Sequence, residues 1–192
     1  YNKRVQVSST APDLLAQIKR AKEGDTEAFG ELYQELYSPL FRYVIFKCRD
    51  VEKAKDIVSE TFLKWYESLD RYEAKIKPIN YLITIAVRLL INEGKKKGAL
   101  QLDLDAEEFI ESGEESVTEF LNTELEFGQV KEIIDNLPEG EKDVIYLKYI
   151  DDKNNSEIAE ILSKTEGNIR VIEHRALKKI RKMYDEKYKK DE

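Results

Sequence analysis

Between Ser163 and Tyr184 the chain places seven Lys or Arg against two acids, Glu166 and Glu173, for a local charge of +5. The cations differ in what they can do. Arg170 and Arg175 carry forked donors that fit guanine edges or a phosphate, and Asn168 can bond a base edge or a phosphate near a helix start. Lys178, Lys179 and Lys182 are point charges suited to neutralising phosphates. Thr165 can cap a helix N-terminus, and Val171 and His174 fall on the same outer face. His174 has no acid, base or nucleophile beside it in the pattern, so it reads as a phosphate contact and not as a catalyst. The chemistry is that of a nucleic-acid reader. The bland alternative is a solvated basic face on a structural helix.

Such groups need a rigid pair of helices to aim them. In "SEIAEILSKTEGNIRVIEHRALKKIRKMY", Ser156 is a candidate N-cap for a short helix over Glu157–Leu162, with Ile158, Ala159 and Leu162 facing inward. The small side chain of Ala159 allows a second helix to come close. Ser163-Lys164-Thr165 is the turn, with Ser163 where a glycine is usual. Ile169, Ile172, Ala176, Ile180 and Met183 then recur at spacings of three and four, which predicts a buried seam. Two helices joined by a three-residue turn, the second cationic outside, form a helix-turn-helix.

The whole chain, by contrast, has a net charge of −7 over 192 residues. Leu100 to Val130 holds ten Asp or Glu and no Lys or Arg, so this segment is −10 and the remainder is +3. A mildly basic protein thus surrounds an acidic insert. The 37% charged fraction and scarce Gly and Pro point to a helical protein. One cysteine, Cys48, excludes an intramolecular disulfide, and with one histidine it excludes an ordinary Cys/His zinc site. Cys48 reads as a structural thiol. No apolar run is long enough to span a membrane, no signal peptide is seen, and a cytoplasmic location is expected. Tyr1 is not a Met, which leaves the native N-terminus open.

Four blocks follow along the chain: a tail over 1–11, a helical block over 12–98, the acidic linker over 99–129, and a second helical block over 130–188. In the first helical block, Leu14, Leu15, Ile18 and Ala21 have helical spacing, and Gly24 ends that helix. Asp25 is an N-cap before Phe29, Leu32, Tyr33 and Leu36. Pro39 is read as opening a further helix. After Asp50, Ala54, Ile57, Val58, Thr61, Phe62 and Trp65 make one apolar stripe opposite Lys53, Asp56, Glu60, Lys64 and Glu67. "INYLITIAVRLLINEGKKK" is apolar around most of its circumference, which predicts a well-buried helix. The linker is expected to be extended and mobile, since like charges repel and its few apolar residues cannot offset the ordering entropy.

The second helical block resembles region 4 of sigma factors of the extracytoplasmic-function (ECF) type. The carrying residues are "LPEGEKDVIYLKYIDDKNNSEIAEILSKTEGNIRVIEHRALKKIR". The first helical block resembles region 2 of the same family, in "DTEAFGELYQELYSPLFRYV", "AKDIVSETFLKWYESLDRY" and "PINYLITIAVRLLINEGKKK". The order is the family's, with a linker between.

The resemblance implies an all-α, two-domain transcription initiation factor with no enzymatic activity and no cofactor. It implies binding to core RNA polymerase, reading of promoter DNA and help in melting it. Control by an anti-sigma factor or another recruiting protein is open. Polymerase docking falls on Asp56, Ser59, Glu60 and Phe62 in the "DIVSETF" helix. The minus-ten element falls to the loop "DRYEAKIKP" and the next helix, a stretch of charge +4 from Asp70 to Gly98. The candidates there are Arg71, Tyr72, Lys75, Lys77, Tyr81, Arg88, Asn92, Lys95 and Lys96, with Tyr72 and Tyr81 as stacking surfaces. Thr165, Asn168, Arg170, Val171, His174, Arg175, Lys178, Lys179 and Lys182 form the minus-thirty-five set. The family usually has Trp at the place of Tyr81, Arg-Asn at Val87-Arg88 and Asp at Asn92, so base-reading detail does not carry over. The linker's carboxylates would complement a cationic polymerase channel; the alternative is a solubilising spacer. The rival functions are a polymerase-binding adaptor brought to DNA by a partner, and a dimeric helix-turn-helix repressor. An adaptor would not need the cationic late helix, and no dimerisation segment is visible.

Overall fold

The computed structural model describes residues 11–73, 75–96 and 132–188, and these form two compact units, one within Tyr1–Leu100 and one within Gln101–Glu192. The acidic linker, the first ten residues and Lys97 lie outside the described residues.

Among the described residues the first unit has four α-helices. Helix α1 spans Ala11–Lys22, α2 Thr26–Cys48, α3 Val51–Glu67 and α4 Pro78–Lys96, with a short 3-10 turn at Leu69–Arg71 after α3. Gly24 closes α1 with φ +92, a conformation open to glycine without steric cost. Asp25 then caps α2, its Oδ1 accepting from the Glu27 and Ala28 backbone N–H groups at 3.0 and 3.1 Å. The bond from Ala28, with the Arg20 guanidinium beside it, holds the Asp25 carboxyl below its usual range. Its contribution is therefore complete at neutral pH and lost only as the pH falls through that depressed value. Asp50 caps α3 in the same way, accepting from the Lys53 N–H at 3.1 Å.

Two expectations about this unit are corrected. Pro39 does not open a new helix, because α2 runs unbroken through it for 23 residues. Leu36 and Leu40 flank it and are both buried, so packing on either side offsets the backbone hydrogen bond that proline cannot donate. Helix α4 is less buried than its composition suggests. Leu82, Ile83 and Ala86 are in the core, while Tyr81, Ile85, Leu89, Leu90 and Ile91 are half-exposed. Leu15 also faces outward. The predicted α3 stripe is buried in full, and α2 packs on α1, α3 and α4.

The second unit contains α5 (Glu139–Ile145), a π-helical turn at Tyr146–Ile150, α6 (Asn155–Leu162) and α7 (Glu166–Tyr188). Residues 132–135 are also helical. Its core is Ile133, Ile134, Leu137, Val144, Ile145, Leu147, Ile158, Ile161 and the α7 seam Ile169, Ile172, Ala176 and Ile180. Met183, assigned to that seam, is only half-buried, and on α6 Ile161 is buried where Leu162 was expected.

The N-cap of α6 is Asn154, not Ser156. Asn154 Oδ1 accepts from the Glu157 N–H at 3.0 Å, and the Asn154 N–H donates to Glu157 Oε2 at 3.1 Å, a complete capping box. Ser163 ends α6 in the left-handed region at φ 54, the place glycine usually takes. The left-handed cost exceeds glycine's entropy cost in the unfolded chain, so Ser163→Gly is expected to stabilise the second unit by about 0.5–1 kcal/mol. Thermal unfolding would read this, and an unchanged or lowered midpoint would show that Ser163 is not strained.

Candidate nucleic-acid and polymerase interfaces

The turn Ser163-Lys164-Thr165 delivers α7 with its first residues outward. Thr165 caps α7, its Oγ1 accepting from the Asn168 N–H at 3.2 Å. Asn168 is thereby fixed at the open end of the helix and exposed. Arg170, Arg175, Lys178 and Lys182 follow along the exposed face, while Val171 and His174 are half-buried at its edge. The pairs Arg170–Glu166 at 3.7 Å and Lys182–Glu186 at 3.9 Å are long and solvent-exposed, so they hold neither cation back from a phosphate.

Lys179 differs. It donates to Glu141 Oε1 on α5 at 2.7 Å, and Glu141 is 5% exposed. A nearly buried carboxylate left without its cation would be costly. The Lys179 charge is thus shared with Glu141, while its side chain stays 48% exposed beside the other cations of α7. Glu173, the other acid of the basic segment, is turned inward onto Lys148 and Tyr149. Neither group was legible from α7 alone, because both partners come from earlier elements.

On the first unit, the outer face of α3 carries Asp56, Ser59 and Glu60, all exposed. Phe62, placed with them as a polymerase contact, is 3% exposed and packs against Tyr33 at 4.4 Å between ring centroids. It is a core residue that floors a groove of about 390 Å³ between α2 and α3. The groove is walled by Phe29, Tyr33, Ser59, Leu63 and Tyr66. Burial pushes the Tyr33 phenol up. Leu63 and Tyr66 stand 57% and 49% exposed at its rim. The signal in sequence was Leu63 and Tyr66 themselves, apolar residues outside the α3 stripe.

The loop before α4 is organised by Tyr72. Its ring meets Trp65 edge-on at 6.0 Å and Tyr81 at 5.0 Å. Its hydroxyl donates to the Ile76 carbonyl, and its own carbonyl accepts from Lys22 Nζ at 2.6 Å. Tyr72 is 2% exposed, so it is a pin for the loop and not an open stacking surface. Tyr81 is half-buried and keeps an accessible face. Arg71, Lys75, Lys77, Arg88 and Asn92 are exposed around it, with Lys75 paired to Glu73 at 2.8 Å. Lys95 and Lys96 lie in the last turn of α4, and their side chains fall outside the described residues.

Among the described residues no helix is long and apolar enough to cross a membrane, and no three His, Cys, Asp or Glu cluster as metal ligands.

Comparison with known proteins agrees with this division. Residues 13–99 match the Sigma-70 region 2 family and residues 133–182 match Sigma-70, region 4. The chain is 31% identical over 166 residues to the ECF RNA polymerase sigma-E factor of Escherichia coli, covering 80% of this chain and 84% of that protein. It is 29% identical over 179 residues to the ECF RNA polymerase sigma factor SigW of Bacillus subtilis, covering 86% and 94%. The fold is similar to that of the sigma factor RpoE in its complex with the anti-sigma factor NepR from Bartonella quintana, with TM-score 0.61, 19% identity, and 85% and 98% of the two chains covered. The chain belongs to the ECF RNA polymerase sigma factors, non-enzymatic proteins that direct RNA polymerase to promoters.

Proposed function

We propose a division of that work between named surfaces. In this reading α7 reads the upstream, minus-thirty-five element. Arg170 and Arg175 reach base edges from the first turns, where a recognition helix enters the major groove, and Lys178 and Lys182 contact phosphates further along. Thr165, Asn168 and His174 flank them. The observation that carries this is the α7 surface: Arg170, Arg175, Lys178 and Lys182 are exposed along one face, with the acid Glu173 turned away from it. Arg170→Ala is expected to cost about 1–3 kcal/mol and to relax preference at one base pair. Lys182→Ala should weaken all sequences alike. Both are measured by binding of an upstream promoter duplex to the holoenzyme. If both variants bind as the parent does at low salt, α7 is not the DNA reader.

Helix α4 and the loop before it would take the minus-ten element. Arg71, Lys75, Lys77, Arg88, Lys95 and Lys96 would hold the backbone, Asn92 would contribute a polar contact, and Tyr81 alone would offer a ring for an unstacked base. Polymerase docking is assigned to α3, through Asp56, Ser59 and Glu60 and the apolar groove beside them. A groove with exposed apolar walls and a charged margin suits an amphipathic helix of a partner. Reversing Asp56 and Glu60 to Lys together should weaken the complex with core polymerase at least about tenfold while helicity is unchanged, since like charges facing a complementary surface cost several kcal/mol. Unchanged affinity would remove α3 as the docking surface.

The functional units are set at 12–98 and 130–188, the acidic 99–129 segment between them serving the polymerase channel. The site of action is the cytoplasm. An anti-sigma factor is a further partner class, supported by the bound NepR in the similar RpoE fold.

A further inference from the structure

We propose that Lys148 is the positioning residue of the helix-turn-helix: one ammonium that fastens both of its helices to the element supporting them, and so sets how α7 is presented to DNA. The inference rests on the reading of α7 as the DNA-contacting helix.

Lys148 lies in the π turn that follows α5. Its Nζ donates to Asn155 Oδ1 at 2.7 Å and to Glu173 Oε2 at 3.0 Å. Asn155 is the first residue of α6, and Glu173 sits in the second turn of α7. The neighbouring Tyr149 hydroxyl donates to the other Glu173 oxygen at 2.8 Å. Both carboxylate oxygens of Glu173 are therefore held, and the Glu173 side chain is 14% exposed against 29% for Lys148. A pair this sheltered is less screened than a surface ion pair, and its bonds are directional.

A second tie acts on the same two elements. Glu141 of α5 holds Lys179 at 2.7 Å. The pairs 141–179 and 148–173 run in opposite senses, so the stretch from α5 through the π turn lies antiparallel to α7 with a charged tie near each end. Two ties on one helix oppose both sliding and rolling. Apolar packing by Ile169, Ile172 and Ala176 seats α7, and the directional charged ties add a restraint on its rotation. A modest roll of α7 would move Arg170 and Arg175 off base edges while leaving phosphate contacts by the flexible lysines intact. The Lys148 node also keeps the Glu173 charge away from the phosphates.

A merely structural ion pair would change stability and leave sequence discrimination alone, and the test separates the two. The full chain on core RNA polymerase is first used to select from a pool of randomised linear duplexes. The readout is the ratio of binding to the selected duplex over the same duplex with only its upstream element shuffled, a ratio independent of the folded fraction. Lys148→Met is expected to lower that ratio about tenfold, the loss of one good base contact. Lys148→Arg, which keeps a charged donor, should stay within about twofold of the parent. Asn155→Ala removes one limb of the node, disturbs the core less, and should lower the ratio about threefold. Arg170→Ala is run alongside. If it lowers the ratio while Lys148→Met and Asn155→Ala do not, the positioning role is overturned and the DNA reading stands. If Arg170→Ala leaves the ratio unchanged, the DNA reading of α7 falls and takes this inference with it.

Discussion

Trp65→Ala is expected to remove about 3–5 kcal/mol from the first unit, the usual cost of deleting a buried Trp or Phe side chain. Trp65 is fully buried on α3. Its ring stands 5.7 Å from Phe29, 6.3 Å from Phe62 and 6.0 Å from Tyr72. Phe29 and Phe62 belong to the docking groove, and Tyr72 pins the loop before α4. One deletion thus loosens two proposed surfaces at once. Against a typical domain stability of about 5–15 kcal/mol, the loss takes much of the margin. Denaturant unfolding followed by far-UV circular dichroism measures it. Trp65 is the chain's one tryptophan, so its fluorescence independently reports the parent transition. A loss under about 1 kcal/mol would mean the site collapses around the cavity and the aromatic cluster is not what organises these surfaces.

The second large effect is Ile169→Ala, at about 2–4 kcal/mol on the second unit. Ile169 is fully buried in the first turn of α7, one residue before Arg170. Its seam partner Ile180 is equally buried but lies eleven residues later. Ile180→Ala should cost a similar amount in stability. Ile169→Ala should in addition lower DNA binding of the folded protein, because its cavity opens under the base-reading turn. Equal DNA affinities for the two variants at matched folded fraction would show that the first turn of α7 is held in place without the Ile169 side chain.

The seam of α7 was readable in advance because a single physical requirement, burial on one side, imposes a period of three and four. The same holds for the α3 stripe. The N-cap of α6 also has a signature in the sequence, two residues before Ser156. Asn154-x-x-Glu157 carries the reciprocal capping pattern, whereas Ser156 has Ala159 three residues on and nothing to reach back with. Pro39 was misplaced because a local rule met a tertiary one: Leu36 and Leu40 both have core to fill, and that outweighs one missing backbone bond. Phe62 and Tyr72 could not be sorted from sequence. An aromatic residue in a polar neighbourhood looks alike whether it greets a partner or its own core, and the rings that cover Tyr72 come from α3 and α4. The commitments of Lys179 and Glu173 are likewise long-range, across 38 and 25 residues of chain, beyond any pattern along one helix.

The π turn at Tyr146–Ile150 closes with the Asp151 N–H donating to the Tyr146 carbonyl, five residues back. Neighbouring residues of an α-helix diverge by about 100°, enough to aim one at a target and the next away from it. A turn that wraps more residues turns less at each of them, and Lys148 and Tyr149 here converge on the same carboxylate. The turn ends its helix at Asp151 and closes over one residue more than an α-helical turn. A one-codon deletion within 146–150 is expected to close this turn over four residues, as in an α-helix. It would also rotate everything after it, through the Asn154 cap and α6, against the part of the chain already packed. Length at this point is therefore as constrained as residue identity, and a deletion scan should find the most regular backbone here to be the least active.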